Sequence, residues 1–174
     1  MKKYELTSET KVINGVELHR IKAIEFFGSI EKGDLGGWIE SEKNLSQDGD
    51  AWVCGIARIS GNATIEDNAT VYGNAKVYGN AKVFGYAMIS GDAMINEDAN
   101  VRGKEDFIVF KNWWSSGRCF TWTRSNNKWT VGCFYGSGEE LIAKAYKDSA
   151  KSGREYERVV KYVESILQEE NNDK

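Results

Sequence analysis

From Gly49 to Arg102 the chain is built of nine uninterrupted six-residue units, each with Gly, Asp or Glu first, Ala third and Val or Ile fifth. They read GDAWVC, GIARIS, GNATIE, DNATVY, GNAKVY, GNAKVF, GYAMIS, GDAMIN and EDANVR. A period of six with a branched residue at one fixed place is the signature of a parallel β-helix, in which three units close one triangular coil. The block therefore predicts three coils. Val53, Ile59, Ile65, Val71, Val77, Val83, Ile89, Ile95 and Val101 are expected to point inward and stack at a rise of about 4.8 Å per coil. Ala suits the tight inward corner, and Gly, Asn or Asp at the turns tolerates left-handed backbone angles.

The rest of the chain divides around this block into residues 1–48, 49–103 and 104–174. The first part reads as a β-rich cap, because Lys11-Val12-Ile13 and Val16-Glu17-Leu18 flank Asn14-Gly15, a strong two-residue hairpin signal. A coil with an open end offers unpaired strand edges to its neighbours, so a cap is physically required. The segment GDLGGWIESEKNLSQDG is expected to form an irregular first coil, with Trp38 and Ile39 placed to plug the open end. Beyond Arg102 the period stops. Asp106–Phe110, Arg118–Arg124 and Lys128–Tyr135 read as strands, the last two joined through Asn126-Asn127, which sets Trp122 opposite Val131 and Phe120 opposite Cys133. Two helices follow to cover that sheet. The first starts at the capping-box sequence Ser137-Gly138-Glu139-Glu140 and runs to about Ser149. The second carries Tyr156, Val159, Val160, Val163, Ile166 and Leu167 as an apolar stripe, with the residues after Gln168 expected to fray.

Residues eighteen apart fall on one exterior face of the prism. One face carries Trp52, Tyr72 and Met88 without charge, so another subunit or a terminal segment should cover it. The next carries Arg58, Ser60, Lys76, Tyr78, Met94 and Asn96. Trp52, Tyr72, Met88, Tyr78 and Met94 are the candidate subunit-contact residues. In the C-terminal part, Arg118, Phe120, Trp122 and Arg124 share one strand face, where basic residues interleaved with rings can stack bases. The same rings also suit a sheet core under the second helix. Trp113-Trp114 cannot both enter one core from an extended chain. They form either a binding lip or a seal between prism and C-terminal unit. Trp113, Trp114, Arg118 and Arg124 are the candidate binding residues.

The repeat resembles the left-handed β-helix of the hexapeptide-repeat family, known from acyltransferases and one class of carbonic anhydrase. That resemblance implies a mainly β fold: a left-handed parallel β-helix of three coils with an N-terminal β-hairpin cap and a small C-terminal α+β unit. Its enzymes use a catalytic histidine or hold zinc with three histidines, since neutral imidazole is both base and metal ligand near pH 7. The only histidine here is His19, ahead of the repeat. The three-histidine zinc site is excluded, no excursion loop interrupts the coils, and no metal or cofactor is expected. A threefold trimer is the common assembly of the family and is the favoured homo-oligomer.

A net charge of −3 with 28% charged residues gives no polyelectrolyte bias toward nucleic acid. There is no long apolar run or signal-like start, so the expectation is a cytoplasmic protein with no membrane segment. Cys54, Cys119 and Cys133 lack CxxC spacing and read as reduced thiols. As a whole, GDLGGWIESEKNLSQDGDAWV, the GNA repeats and VGCFYGSGEEL resemble small proteins of phages and prophages of Gram-positive bacteria. That kinship implies a non-enzymatic interaction protein that blocks host machinery such as antiviral defence, by binding a host protein or sequestering a small nucleotide. The rival readings are a transferase with an inter-subunit site, for which His19 is the only candidate base, and a structural virion component.

Overall fold

The computed structural model of the chain describes residues 2–173. Its centre is a parallel β-solenoid. The repeat supplies β4 (Trp52–Val53), β5 (Arg58–Ile59), β6 (Thr64–Ile65), β7 (Thr70–Val71), β8 (Lys76–Val77), β9 (Lys82–Val83), β10 (Met88–Ile89), β11 (Met94–Ile95) and β12 (Asn100–Val101). Every third-position Ala and fifth-position Val or Ile is 0% exposed, so the two fixed apolar positions of each unit make a continuous core. The sheets are β4-β7-β10, β5-β8-β11 and β6-β9-β12, paired in parallel with a stagger of eighteen residues. At the first position of the units the backbone is left-handed, and Asp67 (φ 58°) and Glu97 (φ 49°) adopt it without glycine's freedom.

The solenoid runs one turn further than the repeat supplies, to about four turns. Strand β3 (Leu35–Ile39) pairs in parallel with β5, and Leu45 bridges Ile65. This added turn is irregular, since twenty residues separate Ile39 from Ile59 but eighteen separate Ile59 from Val77. Ile39 fills the core as expected, whereas Trp38 lies outside it and does not plug the end. Its ring carries the Lys11 ammonium at 3.8 Å and the Arg20 guanidinium at 5.6 Å.

In each coil, backbone N–H groups donate to carbonyls of the next coil, as Thr70 does to Ala87 and Tyr72 to Ile89, both at 2.9 Å. The first coil is thereby left with free carbonyls and the last with free N–H groups, each costly if buried unpaired. On one face the Lys3 ammonium donates to the carbonyls of Gly49 and Ala51, both at 2.9 Å. On another the Tyr4 hydroxyl donates to Leu45 O at 2.7 Å. The third is covered by β1 (Tyr4–Ile13) and β2 (Val16–Ala23), with β2 paired antiparallel to β3. Their turn places Asn14 (φ 52°) and Gly15 (φ 81°) in the left-handed region, the two-residue geometry that matches strand twist. At the other end Met94 N donates to Thr121 Oγ1 (3.0 Å), Asn100 N to Ser125 Oγ (2.7 Å) and Arg102 N to Asp106 Oδ2 (2.7 Å).

Thr121 lies in, and Ser125 and Asp106 lie in the segments flanking, the strands of an antiparallel sheet of β13 (Phe107–Lys111), β14 (Cys119–Thr123), β15 (Lys128–Val131) and β16 (Phe134–Gly136), followed by α1 (Gly138–Asp148) and α2 (Ala150–Asn172). Trp122 stands opposite Trp129, not Val131. The connection is a four-residue loop whose side chains hold it: Asn126 Oδ1 accepts from Thr123 Oγ1 at 2.6 Å, and Asn127 Oδ1 from Trp122 Nε1 at 2.8 Å. The strand expected over Lys128–Tyr135 folds back on itself at Gly132 (φ 58°), so Cys133 does not face Phe120. Ser137 caps α1 as expected, accepting from Glu140 N while the Glu140 carboxylate accepts from Ser137 N. Helix α2 continues to Asn172 beyond the expected fraying point, and Glu170 in its last turns pairs with Arg124 at 2.6 Å.

Replacing Thr121 by Val keeps the shape but strands the buried Met94 N–H, and should cost about 1–3 kcal/mol in denaturant unfolding. Burial pulls the Lys3 ammonium down to about 8, against the attraction of Asp50 and Asp48. The unfolded chain keeps that proton up to about 10.5, so this group makes stability rise with pH between about 8 and 10.5. Tyr4, raised above its ordinary 10.0 by burial, works the other way above pH 10. Unfolding measured from pH 8 to 10 should show stability rising more steeply with pH in the native chain than in Lys3→Met.

Candidate functional site

The four aromatic and basic candidates do not form one site. Trp114 is buried, 5.0 Å from the Tyr156 ring and 6.1 Å from Phe120, and belongs to the core between sheet and helices. Trp113 is 69% exposed and meets Trp114 edge-on at 6.0 Å, so only one of the two rings enters the core. Phe120 and Trp122 are core residues. Arg118 and Arg124 flank opposite ends of β14, about 20 Å apart for extended chain. Arg124 is committed to structure, bidentate to Glu170 at 2.6 and 3.2 Å while Nε donates to Glu105 O at 2.8 Å.

The subunit-contact candidates divide as well. Trp52 is covered within its own chain by Phe27 and Tyr4, with ring centroids at 5.4 and 6.2 Å. Met94 is buried at the junction with the C-terminal sheet. Tyr72 and Met88 stay accessible. Tyr78 is half-buried and lines a groove that the sequence reading did not single out.

That groove, about 640 Å³, runs over the outer face of β5, β8 and β11. One wall is the hairpin, through Ile13, Val16 and Leu18; the other is the β15–β16 turn, through Cys133, Phe134 and Tyr135. Its floor holds Arg58 and Lys76, cross-strand partners in register, and Tyr78 and Asn96 two residues further along. The cations continue beyond the groove as a row. Arg20 pairs with Trp38 and Trp38 with Arg58, while Lys11 lies over the same ring. Burial and the neighbouring Arg58 and Arg20 charges pull the Lys11 ammonium below its ordinary value. Among the described residues only Arg20 of this row has a carboxylate within 4 Å, Glu9 at 3.5 Å. Arg58 Nε is buried without a hydrogen-bond partner.

The opposite end of the groove is acidic. Glu97 stands at the left-handed turn position that seven of the nine units give to glycine. A non-glycine residue there costs on the order of 1 kcal/mol, and such strain collects at functional positions. Asn96 Oδ1 accepts from Glu97 N at 2.7 Å and fixes the turn. Tyr78 and Tyr135 lie near enough to Glu97 that, after burial, its charge is the next influence raising both phenols. His19 lies opposite Ile39 on β2 and does not line the groove. Among the described residues no group of three His, Cys, Asp or Glu side chains is placed to hold a metal ion, and no helix is long and apolar enough to cross a membrane.

Residues 57–73, within the repeat, match the family model described as the YdcK beta solenoid repeat. This agrees with a β-solenoid repeat protein and covers one coil's length of the chain. No curated protein matches the sequence.

The two tryptophans should separate cleanly in denaturant unfolding. Trp114→Ala is expected to lose about 3–5 kcal/mol by opening a core cavity, and Trp113→Ala to stay within about 0.5 kcal/mol of the native chain.

Proposed function

We propose that this chain is a non-catalytic binding protein that sequesters a small anionic ligand in the groove between the hairpin and the C-terminal sheet. The observation that carries the reading is the pair Arg58 and Lys76 on the groove floor, without carboxylate partners among the described residues in a chain of net charge −3. Unpaired cations held by a rigid sheet are pre-organised for an anion, and a volume of about 640 Å³ lies in the range of small-molecule sites.

The wider reading rests on the resemblance of GDLGGWIESEKNLSQDGDAWV and the GNA repeats to phage and prophage proteins. In it the protein acts in the host cytosol, takes a ligand that host antiviral defence depends on, and winds its coils left-handed as the hexapeptide-repeat family does. Tyr72 and Met88, exposed on the uncharged face, are the surface through which copies would associate.

Titration with inorganic pyrophosphate, followed by amide correlation spectra, should move Arg58, Lys76 and Tyr78 together. The double variant Arg58→Ala/Lys76→Ala should lose those shifts and keep its native spectrum elsewhere. Shifts confined to the Trp113 loop, or unchanged in the double variant, would remove the groove as the site.

A further inference from the structure

The groove is electrically polarised, and this limits what it can hold. Arg58 and Lys76 mark one end, with Lys11 and Arg20 behind them on the same outer face. Glu97 marks the other, three residues beyond Met94, which is the cross-strand partner of Lys76. Glu97 follows the end of β11, the strand that pairs with β8, so the two ends lie on adjoining coils. Tyr78, two residues beyond Lys76, and Tyr135, from the opposite wall, line the same groove, both under the influence of Glu97. A simple polyanion would be attracted at the first end and repelled at the second. A ligand that satisfies both has an anionic group joined, through a spacer, to a flat ring that ends in N–H donors.

Resting on the groove as the ligand site, we infer that the ligand is a nucleotide whose base carries an exocyclic amine, with its phosphate at Arg58 and Lys76 and its amino edge at Glu97. A guanidinium recognises phosphate through a fork of donors, and Arg58 lines the groove with no carboxylate partner among the described residues, its only side-chain hydrogen bond there being a long one, 3.5 Å, to Asn74 Oδ1. Tyrosine rings offer the base a stacking surface that tolerates any base identity. Discrimination falls to Glu97, because an ionised carboxylate can only accept. It accepts from the amino groups of guanine, adenine or cytosine, as carboxylates do from cytosine N4. Uracil has carbonyl oxygens in place of an amine and keeps only its ring N3–H, flanked by two acceptors, so the carboxylate there gains at most one donor and faces an opposing acceptor beside it. The role also accounts for Glu97 occupying a turn position where glycine would relieve strain.

The test is calorimetric titration of the full chain with GMP, UMP, ribose 5-phosphate and inorganic phosphate, repeated on Arg58→Ala and Glu97→Gly. The second variant restores the residue usual in the repeat, so loss of fold cannot explain its behaviour. GMP is expected to bind at least about tenfold more tightly than UMP, a difference of the size a lost or opposed hydrogen bond gives. Arg58→Ala should weaken GMP by about tenfold or more. Glu97→Gly should raise Tm while erasing the preference for GMP over UMP. Equal binding of GMP and UMP, or an unchanged preference in Glu97→Gly, overturns the inference. Ribose 5-phosphate binding as tightly as GMP also overturns it but leaves the anion groove standing. Binding of none of the four probes overturns both.

Discussion

Closing the two open ends of the solenoid is the constraint on which the rest of the molecule depends. A parallel coil satisfies its backbone internally except at its first and last turns, where carbonyls point out of one end and N–H groups out of the other. The chain closes them with different chemistry because the needs differ. Donors meet the carbonyls: the Lys3 ammonium, the Tyr4 hydroxyl and the strand β2. Acceptors meet the N–H groups: Thr121, Ser125 and Asp106. Neither closure continues the solenoid itself, so the coils stop where the caps begin. The same polarity runs along a corner, where Lys43 donates to Asn62, Asn62 to Asn80 and Asn80 to Asp98, a ladder that ends on a group with nothing left to donate.

The groove is a by-product of those caps. The hairpin extends the sheet of β3, β5, β8 and β11 at one end, and the β15–β16 turn overhangs the same face from the other. Outward residues that would otherwise be ordinary solvated positions are thereby walled in. Arg58 and Lys76 become partly desolvated cations on a rigid floor, where a charge-assisted hydrogen bond is worth more than at an open surface. The floor belongs to the hydrogen-bonded coils, so the proposed ligand would meet cations whose backbone is held by neighbouring strands on both sides.

The core was legible in the sequence because a strict period leaves one solution: Ala third and Val or Ile fifth are all fully buried. The hairpin was legible from Asn14-Gly15, and α1 from its capping box. The register of β14 and β15 was not, because Asn126-Asn127 resembles a two-residue turn while the actual loop is fixed by side-chain bonds from Thr123 and Trp122. The extra turn was only half visible, since two inserted residues break the period between Ile39 and Ile59. Arg58, Lys76, Tyr78 and Asn96 could be sorted onto one face from their spacing of eighteen. Nothing local in the sequence says that two distant segments, the hairpin and the β15–β16 turn, fold over that face. A usable signal was present: Glu97 replaces glycine at a turn that favours it.

Native mass spectrometry of the protein purified gently from cells tests the central claim most directly. A captured ligand predicts a reproducible mass excess matching a nucleotide on each chain, absent when Arg58 and Lys76 are both alanine. Bare chain masses from the native protein, or the same excess on the double variant, would contradict a ligand-holding groove.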